Sequence, residues 1–78
     1  MPRFFFHIRD GASLEIDPDG LEFPSVESAV SDAKMAAREI LAEMLLTGER
    51  ISGQRFEITA ENGTVLRVVA FRSVLDHD

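Results

Sequence analysis

The chain of 78 residues contains no cysteine, no tryptophan and no tyrosine. Without cysteine it cannot build a disulfide framework, a thiolate metal site or a cysteine nucleophile. Basic residues are also scarce, because eight lysines and arginines stand against 14 acidic residues and leave a net charge of −6. This acidic balance argues against a protein built mainly to bind phosphate backbones.

Long apolar runs are missing too, so no segment reaches the length needed to cross a bilayer. The opening Met1-Pro2-Arg3 leads into a strand pattern rather than a secretion signal, and we expect a cytoplasmic protein without membrane contact. Apolar residues make up 45% of the chain, which is a foldable composition for one domain over 1–78. Such a short domain hides only about 60% of its unfolded surface, so good packing or a partner must add stability.

The first patterned block, 3–16, predicts a β-hairpin with its turn near Asp10-Gly11. A two-residue loop would place Ile8 opposite Ser13. A three-residue loop instead pairs Ile8 with Ala12 and puts every apolar residue of the hairpin on one face. We therefore favour the three-residue loop.

The central block predicts an amphipathic helix over 26–46, after a turn and an extended stretch at 17–24. Ser25 is a good N-cap and Gly48 a natural left-handed stop. Its apolar residues form one stripe at helical spacing: Val26, Ala29, Val30, Ala33, Ala37, Ile40, Leu41 and Met44.

The last block, 55–71, predicts a second hairpin at Asn62-Gly63. A two-residue turn would set Ile58 opposite Arg67. A three-residue loop, 61–63, pairs Ile58 with Leu66 and Phe56 with Val68, and we favour it because it matches apolar residues. The tail, 73–78, is expected to be a frayed turn.

Together these blocks predict a two-layer α+β fold of ββαββ order, a mostly antiparallel four-stranded sheet with one helix across it. The other sheet face would be bare. On the favoured registers it carries both charged and large apolar side chains: Phe5, His7, Arg9, Arg55, Glu57, Arg67, Val69 and Phe71.

This bare face gives the main functional hypothesis, a non-catalytic interaction module that forms a homodimer. Exposed aromatic residues mixed with arginine are typical of protein interfaces. The candidate interface residues are Phe5, His7, Arg9, Arg67, Val69 and Phe71. In the alternative arrangement, the chain itself covers these side chains. A second class of function, single-stranded nucleic-acid binding by the aromatic and arginine residues, is disfavoured by the net charge.

No metal, cofactor or catalytic site is expected. The run from Glu15 to Gly20 has the spacing of a calcium loop, but Val26 stands where the closing glutamate should be. His7 and His77 lack a second ligand at a spacing typical of zinc. No serine context indicates an activated nucleophile, and the five glycines lie at separate turns, so there is no phosphate-binding loop.

The opening Met1-Pro2-Arg3-Phe4-Phe5-Phe6-His7, followed by Arg9-Asp10-Gly11, resembles the domain of unknown function 6894 family of short bacterial proteins. The resemblance continues through the acidic turn at 17–24, the alanine-rich helix and the closing hairpin. It implies a small, stand-alone bacterial protein and carries no activity, ligand or catalytic residue to this chain.

Overall fold

A computed structural model describes residues 1–75 as one helix packed on an open antiparallel sheet, which confirms the predicted α+β class. The elements are β1 (Arg3–Asp10), β2 (Ser13–Glu15), β3 (Leu21–Glu22), α1 (Val26–Thr47), β4 (Arg55–Ala60), β5 (Val65–Ala70) and a short 3₁₀ helix (Phe71–Val74). The strand order is β2-β1-β4-β5, and β3 pairs with the start of β1. Among the described residues, no helix has the length and apolarity that a bilayer crossing requires.

Helix α1 begins and ends where the sequence predicts, within one residue. The Ser25 hydroxyl oxygen accepts the Ser28 N–H at 3.1 Å, and Gly48 closes the helix at φ 77° with its N–H on the Met44 carbonyl. The buried side of the helix consists of Ala29, Ala33, Ala37, Leu41 and Met44. Three alanines in successive turns let the helix backbone lie close to the sheet.

The predicted register of the first hairpin is wrong. Asp10 lies opposite Ser13 and Ile8 opposite Glu15, so the turn is the two-residue Gly11-Ala12, with Gly11 at φ 60°. Matching apolar residues did not decide this register because all three β2 residues are exposed, and their pairing therefore buries little apolar surface.

The three-residue loop of the second hairpin is confirmed, because the Ala60 N–H donates to the Thr64 carbonyl at 2.9 Å. A β-bulge then shifts the register by one residue, so that Ile58 lies opposite Arg67 and Phe56 opposite Val69. One extra residue turns every following side chain to the other face. The predicted pairing of Phe56 with Val68 is therefore wrong.

The bulge puts Val69 and Phe71 into the core, where they are 5% and 2% exposed, and not on the bare face as predicted. The chain then continues as the 3₁₀ helix, which packs against α1 and buries Val74. The predicted frayed turn is wrong at Ser73 and Val74, because this extra turn hides apolar side chains. The rest of the predicted tail, including His77, lies beyond Leu75 and outside the described residues.

Candidate interaction face of the sheet

The sheet side turned away from α1, called the open face below, is built by residues that lie opposite each other on neighbouring strands. Since paired residues in an antiparallel sheet share a face, the registers define three rows across it. The rows are Leu14–Arg9–Arg55–Ala70, His7–Glu57–Val68 and Phe5–Thr59–Val65. The structure thus places Phe5, His7 and Arg9 on this face, as their alternation along β1 predicts.

Three apolar residues lie on the open face although the sequence patterns did not predict them there. Val68 is 54% exposed, Val65 47% and Leu14 38%. The bulge brings the two valines to this face, and the short Gly11-Ala12 turn brings Leu14. One signal was present in the sequence: the adjacent apolar residues Val65 and Leu66 break the strand alternation at the position where the extra residue lies.

Arg67 does not belong to the open face, contrary to the prediction. Its guanidinium lies on the helix side, with Nη2 3.9 Å from Glu27 Oε2, and its Nη1 donates to the Leu66 carbonyl at 2.8 Å. The bulge causes this placement too, because it turns Arg67 toward the face on which Ile58 lies.

The centre of the open face is a compact ion cluster. Arg9 Nε donates to Glu57 Oε2 at 3.1 Å, and Arg55 Nη2 lies 3.8 Å from the same oxygen. The Glu57 side chain is only 13% exposed, so its charge is well sheltered and both arginines are held near it. The cluster itself carries one net positive charge, on a chain of −6.

The Asp17–Gly20 turn folds over one corner of the open face and is held by the Asp17 carboxylate. Phe6 N–H donates to Oδ2 at 3.1 Å, while Oδ1 accepts the N–H groups of Gly20 and Asp19 at 3.1 and 3.2 Å. Partial burial acts to raise the Asp17 pKa, but the three backbone hydrogen bonds and nearby His7 lower the pKa below its usual value.

The same turn partly covers two aromatic rings of the open face. The Asp17 N–H donates to Nδ1 of His7 at 3.0 Å, and the His7 ring stacks on Phe5 with centroids 6.2 Å apart. Gly20 lies so close to Phe5 that a Cβ there would come within 2.8 Å of the Phe5 ring. The alternative in which the chain itself covers the bare face is therefore correct for Phe5 and His7. The valines of the open face stay uncovered.

Both edges of the sheet are protected against pairing with a further strand. At the β1 edge, β2 and β3 are short and separated by the turn, whose Asp19 and Gly20 carbonyls accept hydrogen bonds from Arg3 Nη1. At the other edge, Arg67 covers the Leu66 carbonyl, and the Ser73 hydroxyl donates to the Ala70 carbonyl at 2.6 Å. Covered carbonyls and broken strands are features that hinder edge-to-edge pairing.

Residues 1–75 contain no detectable pocket and no group of three or more acidic or histidine side chains able to hold a metal. The calcium-like spacing around Asp17 has a different explanation. Its two carboxylate oxygens are occupied by backbone N–H donors, so they do not point together toward a shared ion.

A second apolar surface lies on the outer side of α1. Met35 is 58% exposed, Leu45 66% and Leu46 88%. This stripe is separated from the open face by the whole thickness of the helix and sheet. It therefore offers positions for control substitutions that leave the open face untouched.

The fold and its open face define a two-layer α+β domain whose antiparallel sheet is covered on one side only. The model of one protein family, Domain of unknown function (DUF6894), matches residues 3–72. The chain belongs to this family, which confirms the resemblance of its opening motif. No curated protein and no solved structure matches it.

Proposed function

We propose that this chain is a non-catalytic interaction module of the bacterial cytoplasm that self-associates through the open face. The observation that carries the proposal is the group of uncovered apolar side chains, Leu14, Val65 and Val68, around the Arg9–Glu57–Arg55 cluster. Apolar contacts with arginine among them are the composition of many protein interfaces. Removing these side chains from water would stabilise the pair.

The size of the face suits a second copy of the chain. The molecule is a slab with extents of 37 × 30 × 17 Å, and the sheet forms one of its two broad sides. A stable interface covers about 800 Å² on each partner, which is of the order of such a broad side. A small domain also has the most to gain from covering a bare sheet, because its own core is limited.

The charge distribution favours the same partner. The Arg9–Glu57–Arg55 cluster carries +1, so the remaining residues together carry −7 to give the total of −6. Pairing two open faces would keep most of the acidic residues outside the interface.

The single-stranded nucleic-acid alternative has less support. Arg9 is already paired with Glu57, Arg67 lies on the helix side, and the Phe5 ring is partly covered by Gly20. A phosphate and base platform needs free cations beside open rings. This alternative predicts that the protein binds random oligonucleotides and that binding weakens steeply as salt rises. An absence of binding would contradict it.

Sedimentation equilibrium of the wild type, Val68→Asp and Met35→Asp tests the proposal. Val68 is 54% exposed on the open face and Met35 58% exposed on α1, so the two substitutions are matched in burial. We expect the wild type and Met35→Asp to be dimeric at high micromolar concentration and Val68→Asp to be monomeric, because a charge would be desolvated at the interface.

A monomeric wild type at that concentration would contradict the proposal, as would dissociation of Met35→Asp alone. Phe71→Asp, an obvious choice from the sequence, is unsuitable because Phe71 is 2% exposed in the core. Thermal melts of both variants at low micromolar concentration check that each remains folded.

A further inference from the structure

The outer side of α1 carries a short line of apolar residues, called the outer seam below. It consists of Met35, Ala42 and Leu46, which lie within about 20° of one line along the helix and opposite its buried alanines. All three are exposed, Met35 by 58% and Leu46 by 88%. Ala42 lies between the two larger side chains, so a second surface can approach the helix closely there.

Charged residues of opposite sign flank the outer seam. Lys34 and Arg38 lie about 60–100° to one side of Met35, and Glu39 and Glu43 lie about 40–80° to the other. All four are exposed, and none of them forms an ion pair with another of residues 1–75. Like charges four residues apart on a helix repel each other. The single chain therefore carries one repulsive pair on each flank of the seam.

We propose that the outer seam binds the outer seam of a second copy, with the two helices parallel. A two-fold axis along the helices places each seam residue beside its own counterpart and each flank beside the opposite flank of the other copy. Lys34 then faces Glu39 of the other copy, and Arg38 faces Glu43. Both pairs are five residues apart, which is the spacing of ion pairs between the helices of a parallel coiled coil.

The charges also select the direction of the pair and its occupant. In an antiparallel pair, the two-fold axis brings each flank beside the same flank of the other copy, so that the Glu39 and Glu43 carboxylates of both copies meet. Like charges placed opposite each other destabilise a contact. Because the flank that complements Lys34 and Arg38 lies on the same helix, the occupant that fits the outer seam is a second copy of this chain.

The contact covers only the second half of α1. Seven residues earlier, the positions that correspond to Lys34 and Glu39 are Glu27 and Asp32, which are both acidic, and Glu27 lies 3.9 Å from Arg67 of its own chain. Such a short contact is well below the area of a stable interface, so we expect a dissociation constant of several millimolar. The seam is therefore mostly empty at high micromolar concentration, and the inference does not depend on the open face.

The test uses the Val68→Asp chain, in which a charge disables the open face, between about 0.2 and 5 mM. NMR follows the rotational correlation time of the protein and the amide shifts of α1 as the concentration rises. We expect self-association with the largest shifts around the seam residues. The added substitution Leu46→Asp should abolish it, because the contact would then desolvate a charge.

Charge variants in the same background test the ion pairs. Lys34→Glu with Arg38→Glu makes both flanks acidic and should raise the dissociation constant at least about tenfold, beyond the measured range. Adding Glu39→Lys and Glu43→Lys exchanges the two flanks at unchanged net charge and should restore the dissociation constant to within about threefold. A chain with exchanged flanks that is folded in a thermal melt but does not associate would overturn the proposal.

A single cysteine tests the direction of the pair, since the chain has none of its own. Leu46→Cys places the two thiols side by side in a parallel pair, so a disulfide-linked dimer should form under oxidation at millimolar concentration. In an antiparallel pair centred between residues 35 and 46, the thiols lie about 16 Å apart along the axis and cannot link. Glu61→Cys, exposed in the loop of the second hairpin, gives the background rate. A Leu46→Cys rate no higher than this background would overturn the parallel pair.

Two outcomes separate the outer seam from the proposed function. If the wild type is dimeric and Val68→Asp stays monomeric up to about 5 mM, self-association by the open face stands and the outer seam is wrong. If Val68→Asp is as dimeric as the wild type and Leu46→Asp alone dissociates the wild type, the outer seam stands and self-association by the open face is wrong.

Discussion

The two hairpins begin from similar sequences and reach different structures. Phe6-His7-Ile8 and Phe56-Glu57-Ile58 have the same pattern, and each hairpin turns at a glycine after a polar residue. The first closes with the two-residue Gly11-Ala12 turn, whereas the second uses three residues and then a bulge. The outward residues of the two central strands nevertheless meet on one face, because β1 and β4 pair directly without a shift.

The difference between the hairpins lies in their outer strands. β2 is fully exposed and is followed by a turn that Asp17 holds against β1, while β5 buries Val69 and passes directly into a packed 3₁₀ helix. The register of the second hairpin is therefore fixed by core packing, and that of the first by a few polar contacts. Substitutions in the two hairpins should differ accordingly.

The largest effect is expected from breaking the register of the second hairpin. Val69→Asp places a charge at a position that is 5% exposed and should lower the free energy of unfolding by about 4 kcal/mol or more. Val68→Asp, one residue away and 54% exposed, should change it by less than about 1 kcal/mol. Urea unfolding at low micromolar concentration measures both. Equal losses would mean that the bulge does not set the register.

A smaller effect is expected at the glycine that anchors the turn after the first hairpin. Gly20→Ala combines φ 69° with a Cβ that would lie 2.8 Å from the Phe5 ring and 2.9 Å from the Phe4 carbonyl, and we expect a loss of about 3 kcal/mol. Gly63→Ala in the second hairpin has φ 90° but open space around it, so only backbone strain of about 1–2 kcal/mol applies. Thermal unfolding of the two variants should rank them in this order, and the reverse order would disprove the close contact.

The smallest effect is an acid sensitivity that comes from the turn after the first hairpin. The Asp17 pKa is lower in the folded chain than its ordinary value, so the contribution of the carboxylate is complete above about pH 4 and disappears as pH falls through the lowered pKa. The stability difference between the wild type and Asp17→Asn should therefore shrink from pH 5 to pH 2.5 in urea unfolding. A difference that stays constant would show that Asp17 acts without its charge.

The sequence predicts the elements of this fold better than their registers. Helix α1 is predictable from its cap, its stop and its stripe, all of which are local signals. The three-residue loop of the second hairpin is also predicted correctly, although the apolar pairs that favoured it are wrong beyond the bulge. The bulge at Leu66 is not predictable, because it is stabilised by packing against a helix that is distant in sequence: Val69, Phe71 and Val74 gain burial against α1 only if the strand shifts.

The difficulty of predicting strand register also decides which residues of the open face are predicted correctly. Phe5, His7 and Arg9 are placed correctly because β1 pairs with β4 in an unbroken register. Arg67, Val69 and Phe71 are misplaced by the same single residue, while Val65 and Val68 are missed. The hydrogen bond of Asp17 to His7 could not be predicted either, since it joins a loop to a strand ten residues away through one ring nitrogen.

The three buried alanines of α1 have a consequence for how the helix keeps its direction. Ala29, Ala33 and Ala37 are 0% exposed and present only methyl groups to the sheet, so between Val30 and Ile40 the helix has no large buried side chain to interlock with it. Larger apolar residues contact the core on either side of this segment, at Val26 and Val30 and at Ile40, Leu41 and Met44. The crossing angle of the helix on the sheet is thus set by the larger side chains at its two ends, and the alanines between them allow close contact without fixing the angle.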